Sequence, residues 1–209
     1  MPHNEHLFMP KDHMEELYSS KNPLVNFVHN NRLDSIVRFL KNRMRNKRIL
    51  DAGCGEGHLI EKLSHQESSA GYYGIDIVEP AVSSAKQRCP AAFIQLGDLY
   101  ATKYPPAFFD VVICTEVLEH IIDFKLVLKE FKRILKANGL LIITFPNEVL
   151  WTVSRFFLGR RPIKVPDHVN SFSPSKIKKY VNLPLVYSRS MPFNLPFPLS
   201  LGKMMVFKK

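Results

Sequence analysis

The chain has 209 residues, of which 45% are hydrophobic and 23% are charged, the proportions of an ordinary folded domain. No run of 18 apolar residues occurs and the N-terminal residues form no signal-peptide core, so we expect a cytoplasmic protein. Three widely spaced cysteines favour neither a disulfide framework nor a thiolate zinc site. The net charge of +10 is spread over several basic runs, which are usually solvated faces, although nucleic acid or an anionic membrane surface stays open as a partner.

The first 47 residues predict an arm followed by a helix. Apolar side chains recur at helical spacing from Asn22 onward, at Leu33, Ile36, Val37, Leu40 and Met44. In cofactor-binding folds such a helix commonly covers the site, so Arg32 is a candidate for binding a carboxylate. A solvent-exposed arginine is the alternative for this residue.

Residues 49–57, with the sequence ILDAGCGEG, predict a strand, a tight turn and the start of a helix. Closely spaced glycines allow positive φ angles and let a ligand approach the backbone. A dinucleotide turn would need glycine where His58 stands, and the carboxylate of Asp51 would repel a pyrophosphate. S-adenosylmethionine carries an ammonium and a sulfonium group and no phosphate, so it fits this turn better. A plain structural turn is the alternative.

Acidic residues follow the next two predicted strands. Residues 71–77 predict the second strand and place Asp76 about twenty residues beyond the glycines, where a carboxylate can accept both hydroxyls of a ribose. Residues 92–99 predict a third strand, after which Asp98 can accept a hydrogen bond from the adenine amine while Leu99 packs on the ring. A turn-forming aspartate is the alternative for Asp98.

The chain from residue 109 to residue 145 continues the alternation of strands and helices. Residues 109–115 are continuously apolar, as in a strand buried on both faces. A helix with an apolar face follows, Asn138 and Gly139 are expected to end it, and residues 140–145 predict the fifth strand. This rhythm predicts an α/β fold with a doubly wound, mostly parallel sheet.

The series ILDAGCGEG, GIDI, GDL, FDVVICTEVLEH and GLLIITFPN resembles the class I S-adenosylmethionine-dependent methyltransferases. The resemblance implies a seven-stranded Rossmann-like sheet with an antiparallel last strand. It implies one domain over residues 1–209, with an arm and cover helix (1–47), a cofactor-binding core (48–145), a lid or substrate insertion (146–182) and a C-terminal β-hairpin (183–209). The candidate cofactor-binding residues are Arg32, Asp51, Gly53, Cys54, Gly55, Asp76, Ile77, Asp98, Leu99 and Glu116.

The insertion contains an apolar helix candidate at residues 149–158, followed by Arg160 and Arg161. A helix of this kind is core or a substrate lid in the simplest interpretation. An interfacial helix that meets anionic lipid is the alternative, because it would explain aromatic residues beside arginines.

The segment E-V-L-E-H, residues 116–120, together with His168, is similar to a pattern in two methyltransferase groups. These are the ubiquinone-pathway O-methyltransferases and the small-RNA terminal 2′-O-methyltransferases, in which a metal lies between substrate and protein. The resemblance implies a divalent ion, such as Mg²⁺, held by Glu119, His120 and His168. Two alternatives stay open: His120 or His168 is a catalytic general base, or the motif is only structural.

The predicted function is methyl transfer by in-line displacement to a small-molecule acceptor, with a hydroxyl as the expected nucleophile. A metal-assisted RNA 2′-O-methyltransferase is the alternative within the class, favoured by the net charge of +10. An S-adenosylmethionine-binding regulatory subunit without catalysis is the alternative from another class. An oxidoreductase on the same fold is disfavoured by Asp51 and His58.

Overall fold

Seven strands form one sheet in the order β3-β2-β1-β4-β5-β7-β6. The computed structural model describes residues 23–157 and 168–209, so the N-terminal arm to residue 22 and the predicted Arg160 and Arg161 lie outside the described residues. The strands are β1 (Arg48–Ala52), β2 (Gly71–Asp76), β3 (Phe93–Leu96), β4 (Phe109–Thr115), β5 (Leu135–Pro146), β6 (Leu185–Met191) and β7 (Gly202–Lys208). The α-helices are α1 (Pro23–Leu40), α2 (His58–Ser64), α3 (Glu79–Arg88), α4 (Phe124–Ile134), α5 (Glu148–Phe157) and α6 (Pro174–Val181), with 3₁₀ turns at Leu118–His120 and Phe197–Leu199.

The strand directions confirm the predicted fold class. Strands β1 to β5 pair in parallel, and β7 runs antiparallel to both of its neighbours, β5 and β6. Because β1 lies between β2 and β4, the strand order reverses at β1. Ligands of open α/β sheets bind beyond the carboxyl ends of the strands at such a reversal. The fold therefore points to the turn after β1 and the loops after β2 and β4.

Alternating strand residues face two separate layers of the core. Within β1, Ile49 packs on the side of α1, α2 and α3, whereas Leu50 packs on the side of α4 and α6. Within β5, Ile142 lies on the first side and Ile143 on the second. A sheet that is covered on both faces needs apolar residues at consecutive positions, which accounts for the unbroken apolar runs in the sequence.

Several expected element boundaries differ from the structure, including the fifth strand, which begins at Leu135 and not at residue 140. Helix α4 ends at Ile134, not at Asn138 and Gly139, because Leu135 is already extended and pairs with Phe109 of β4. The third strand is shorter than expected and stops at Leu96, so Gly97 and Asp98 lie in the loop beyond it. The apolar segment of the insertion is helical, as α5. Within the described residues, no helix combines the length and apolarity that crossing a membrane requires.

We predict that Phe131→Ala lowers the free energy of unfolding by about 3–5 kcal/mol, because the substitution leaves a cavity under the sheet. Phe131 is fully buried in α4. The matched control is Leu126→Ala, on the same helix but 50% exposed, which should cost less than about 1 kcal/mol. Urea unfolding of both variants measures the difference, and equal losses would contradict the described packing of α4.

Candidate active site

The turn after β1 requires glycine at positions 53 and 57, where φ is positive and a side chain would meet a neighbouring residue. Gly53 has a φ of +82°, and a Cβ there would lie 2.4 Å from Cγ2 of Val117. Gly57 has a φ of +86°, and a Cβ there would lie 3.2 Å from the backbone of Ala85. The N–H of Gly53 donates to the carbonyl of Ile75 over 2.8 Å, which ties the turn to the end of β2. The backbone here is thus shaped for close approach.

Asp76, the last residue of β2, holds the glycine turn in place. Its Oδ2 accepts from the N–H of Gly55 over 2.8 Å, and its Oδ1 accepts from the N–H of Val78 over 3.0 Å. Burial raises the pKa of Asp76, and the N–H donors of Val78 and Gly55 act against that rise. The N–H of Ile77 acts in the same direction, and the contacts of Asp76 with ribose hydroxyls stay a prediction. Ile77 beside it is 37% exposed and presents an apolar surface.

Asp51 and Cys54 lie beneath the turn. Asp51 is buried, and its Oδ1 has no hydrogen-bond partner in the described part of the chain. Burial, and then the charge of Asp76, raise the pKa of Asp51 well above its ordinary value. An unneutralised buried carboxylate is suited to a cationic group. Cys54 fills space: a Cβ on Gly74 would lie 2.9 Å from its Sγ, and burial raises the pKa of its thiol.

Asp98 has the structural role that the sequence allowed as its alternative, and Leu99 lies in the core. Oδ1 of Asp98 accepts from the N–H of Tyr100 over 2.9 Å, as a turn-forming aspartate does. Leu99 is buried and packs in the core layer that contains α4. Contacts of these two residues with adenine stay a prediction.

Arg32 and Glu116 form an ion pair, with 3.2 Å between Nη1 and Oε2. Arg32 is 9% exposed, so the alternative of a solvent-exposed arginine is wrong. Its guanidinium binds a carboxylate, as expected, but this carboxylate is the side chain of Glu116 and not that of a bound cofactor. Thr144 Oγ1 donates to the other oxygen of Glu116 over 3.0 Å, and Glu116 itself has a φ of +53°. Two contacts therefore hold Glu116 in a left-handed backbone conformation.

Glu119, His120 and His168 come together at the end of β4. One ligand atom from each residue lies within 4.8 Å of the others, and the two imidazole centroids are 4.7 Å apart. The segment that carries His168 is anchored to the backbone: the N–H groups of Val169 and Asn170 donate to the carbonyl of Glu119 over 2.9 and 3.0 Å. These two hydrogen bonds bring His168 next to the E-V-L-E-H motif, although the two are distant in sequence.

The side chain of Glu119 is the most deeply buried group of this cluster. It is 1% exposed, and neither of its carboxylate oxygens has a hydrogen-bond partner among the described residues. Burial, and then the charge of Glu116, raise the pKa of Glu119 well above its ordinary value. Such a group is either neutral or requires a cation or a donor from a ligand.

Glu148 is the residue that sequence reasoning missed. Nδ1 of His168 donates to Oε1 of Glu148 over 2.6 Å, and both side chains are mostly buried. Glu148 opens α5 directly beyond the carboxyl end of β5, a position that could have drawn attention to it. No spacing motif connects it to His168, because the contact depends on how the insertion folds back.

Residues 50–143 match the family model described as a methyltransferase domain. This segment, just under half of the chain, is therefore similar to a methyltransferase domain. It is 28% identical over 124 residues to a probable S-adenosylmethionine-dependent methyltransferase from Mycolicibacterium smegmatis, covering 59% of this chain and 48% of that protein. It is 33% identical over 103 residues to a ubiquinone biosynthesis O-methyltransferase from Bradyrhizobium diazoefficiens, covering 48% of this chain and 40% of that protein.

The fold is similar to that of magnesium protoporphyrin IX methyltransferase from Synechocystis PCC 6803 with bound SAH. The TM-score is 0.73 at 21% identity, with 95% of this chain and 93% of that chain covered. The class I resemblance is thereby confirmed, and S-adenosylmethionine is the cofactor that the family implies. The matches span less than half of the length of the two curated relatives above. The roles of individual residues in the methyltransferase domain stay predictions.

We predict that Asp51→Asn stabilises the cofactor-free protein at pH 7 by roughly 1–3 kcal/mol, because it removes a buried, incompletely hydrogen-bonded carboxylate. The folded-state pKa of Asp51 is raised, so the wild-type protein loses stability as the pH rises from the ordinary aspartate pKa through that raised value. The stabilising effect of the variant should therefore grow as the pH rises above the ordinary aspartate pKa. Denaturant titrations at several pH values measure it, and calorimetry should show at least tenfold weaker S-adenosylmethionine binding.

Asp110→Asn is the control with the opposite sign. Burial raises the pKa of Asp110, but the N–H of Arg48 and the Lys136 ammonium outweigh this effect and hold its pKa below the ordinary value. Its ionised form stabilises the fold above the unfolded-state pKa, so this variant should lose stability at pH 7. A destabilised Asp51→Asn with unchanged cofactor binding would contradict the cationic-ligand interpretation.

Proposed function

We propose that the chain transfers the methyl group of S-adenosylmethionine to a hydroxyl group of a small-molecule acceptor. The observation that carries this proposal is the 2.6 Å hydrogen bond between Glu148 and His168, with His120 beside them at the carboxyl end of the sheet. A carboxylate-bound imidazole is a suitable proton acceptor for a hydroxyl nucleophile. The similarity to the Bradyrhizobium ubiquinone biosynthesis O-methyltransferase supports the same chemistry.

When bound, S-adenosylmethionine would supply the methyl group by in-line displacement: the acceptor oxygen would bond to the methyl carbon, the bond from that carbon to sulfur would break, and neutral S-adenosylhomocysteine would leave. Nδ1 of His168 is occupied by Glu148, so Nε2 is the atom that would accept the hydroxyl proton. Glu148 would fix this tautomer and stabilise the imidazolium that forms. His120 is the second candidate base, one ring away.

The remaining roles follow from the geometry of the glycine turn. Asp51 would attract the ammonium group of the cofactor, and Asp76 would accept the ribose hydroxyls. Ile77 would cover one face of the adenine. Arg32 would bind the cofactor carboxylate while it keeps its contact with Glu116, since a guanidinium has five N–H donors.

As an alternative to a general base, the cluster of Glu119, His120 and His168 fits a divalent cation. Nε2 of His168 cannot bind an ion and accept the hydroxyl proton at the same time. The buried carboxylate of Glu119 has no hydrogen-bond partner in the described part of the chain, and the three ligand atoms lie within 4.8 Å of one another. Two imidazoles with one carboxylate are a donor set for manganese, iron or zinc ions, whereas Mg²⁺ prefers oxygen ligands throughout. The fit therefore favours a transition metal over the expected Mg²⁺. Such an ion would lower the pKa of a bound hydroxyl.

Exposed apolar side chains near these elements favour an acceptor with an apolar part. Val149 follows Glu148 and is 73% exposed. Phe27 of α1 and Phe193 lie with ring centroids 6.0 Å apart, and both are exposed. Asn147 donates from Nδ2 to the carbonyl of Phe197, which brings the 3₁₀ turn at Phe197–Leu199 against the start of α5. An apolar acceptor would cover this surface.

RNA 2′-O-methylation is the second candidate, because the same Glu119, His120 and His168 cluster would bind a ribose hydroxyl and the net charge is +10. A regulatory subunit would bind S-adenosylmethionine without transferring its methyl group. Assays with tritiated S-adenosylmethionine, using catechols and hydroxyquinols in one arm and small RNA in the other, distinguish these functions. Transfer to RNA alone would replace the small-molecule proposal, and no binding heat with S-adenosylmethionine would overturn it altogether.

We predict that His168→Ala lowers kcat by about 10²–10⁴-fold, because the hydroxyl loses its proton acceptor. Glu148→Gln should lower kcat by about 10–100-fold and shift the pH–rate profile, because the imidazole loses its charged partner. Calorimetry should show unchanged S-adenosylmethionine affinity for both variants. His65→Ala, an exposed histidine after α2, is the matched control and should keep full activity. Full activity of His168→Ala would remove this residue from the mechanism.

The metal hypothesis has its own test. We predict that dialysis against a chelator lowers methyl transfer at least tenfold and that Mn²⁺ or Zn²⁺ restores it better than Mg²⁺. Metal content per protein chain, measured by elemental analysis before and after dialysis, accompanies the assay. Unchanged turnover after complete metal removal would leave the imidazole acting as a general base without metal.

A further inference from the structure

A cavity lies between the C-terminal half of α1 and the edge strand β6. Its volume is about 260 Å³, and it is lined by Ser35, Arg38, Phe39, Arg43, Tyr187 and Arg189. Three of the six lining side chains are arginines and none is acidic. Cavities with one sign of charge concentrate counter-ions, so this lining favours an anionic ligand.

No carboxylate within the described residues forms an ion pair with any of these three arginines. The acidic residue next to Ser35, Asp34, is bound to Lys62 over 2.9 Å, so it does not neutralise the cavity. Guanidinium groups that gather without a counter-charge repel one another. A bound anion would relieve this repulsion.

Most N–H donors of the cavity remain available. Arg38 uses Nη2 for Ser35 Oγ over 3.3 Å, and Arg43 uses Nη1 for the carbonyl of Phe39 over 2.6 Å. Nε of Arg189 is buried and donates to no acceptor in the described part of the chain. A buried donor without an acceptor is destabilising, and a ligand oxygen would satisfy it. Arg189 is therefore the centre of the candidate site.

Aromatic rings lie beside the guanidinium groups. The rings of Phe39 and Tyr187 have centroids 4.9 Å apart, and the guanidinium carbon of Arg43 lies 4.9 Å from the Phe39 centroid. Tyr187 is 37% exposed, so part of its ring is open to a ligand. Arginine with an exposed aromatic ring is a combination that binds a phosphate and the planar group attached to it.

The cavity is separate from the proposed methyl-transfer site. Arg32 is engaged with Glu116, whereas Arg38 lies six residues further along α1, which is about 9 Å at 1.5 Å per residue. The residues that line the cavity include none of the candidate cofactor, base or metal-binding residues. Occupation of this cavity therefore does not require methyl transfer.

We propose that this cavity binds the phosphate group of a small phosphorylated molecule, with a planar ring of that molecule against Tyr187. Arginine suits this role because its planar fork of N–H groups binds two phosphate oxygens at once. The limited volume favours a monophosphate over a larger ligand.

Calorimetry with cytidine monophosphate, cytidine and inorganic phosphate tests the proposal. Saturating S-adenosylhomocysteine is present throughout, so that the methyl-transfer site is filled. We expect cytidine monophosphate to bind at least tenfold more tightly than inorganic phosphate, and cytidine not to bind. Arg189→Gln should weaken cytidine monophosphate at least tenfold, and Tyr187→Ala should reduce its affinity to that of inorganic phosphate.

Arg45→Gln is the matched control, an exposed arginine that does not line the cavity, and it should leave the affinity unchanged. Melting temperatures show whether Arg189→Gln is folded, and Arg38→Gln is the second variant if it is not. If Arg45→Gln weakened cytidine monophosphate binding as much as Arg189→Gln, the effect would come from the overall charge of the protein, and the proposal would be overturned. No binding of cytidine monophosphate, or Arg189-dependent pelleting with phosphatidylglycerol vesicles in its place, would also overturn it.

Discussion

The hydrogen bond from the N–H of Gly55 to Oδ2 of Asp76 holds together the part of the molecule on which the site depends. It connects the turn after β1 to the end of β2, and the N–H of Gly53 reinforces the connection through the carbonyl of Ile75. Burial makes the ionised Asp76 costly, and the N–H groups of Val78, Gly55 and Ile77 offset part of that cost. The glycine turn and the acidic residue are therefore one structural unit. The spacing of about twenty residues between them is the length of the helix and loop that return the chain to the neighbouring parallel strand.

The second constraint is that the site contains several buried carboxylates, although the protein as a whole has a net charge of +10. Asp51, Asp76 and Glu119 are all buried near the carboxyl ends of β1, β2 and β4, and the pKa of each is raised first by burial. Arg32 supplies a positive charge through Glu116, and it lowers the pKa of Glu119 only against larger opposing effects. Cationic ligands would relieve this accumulation. A sulfonium cofactor or a metal ion would supply the missing positive charge. The site would then be less stable when empty, and it would favour positively charged ligands.

The sequence predicted those parts of the fold and site that depend on local chemistry. The glycines at 53 and 55 and Asp76 at a strand end follow from backbone geometry and residue types. The antiparallel C-terminal hairpin was expected from the resemblance to class I methyltransferases. Helix α4 ends earlier than expected because pairing of Leu135 with Phe109 overrides the Asn-Gly signal. Glu148, and the cavity around Arg189, could not be predicted because they depend on contacts between segments that are distant along the chain. Arg32 shows the intermediate case, since its reach to a carboxylate was expected but the partner, Glu116, was not.

In the proposed chemistry, the backbone of Glu119 anchors the acceptor side of the site. Its carbonyl accepts the N–H groups of Val169 and Asn170, and Nδ2 of Asn170 donates to the carbonyl of Ile121 over 2.7 Å. These three contacts position His168 without using its imidazole, whose Nδ1 is held separately by Glu148. The acceptor side of the site is thus fastened to the 3₁₀ turn that follows β4, while the cofactor side is fastened to β1 and β2. Variation of the insertion can then change the acceptor without disturbing the cofactor turn, because the two sides share the sheet but none of their hydrogen bonds described above.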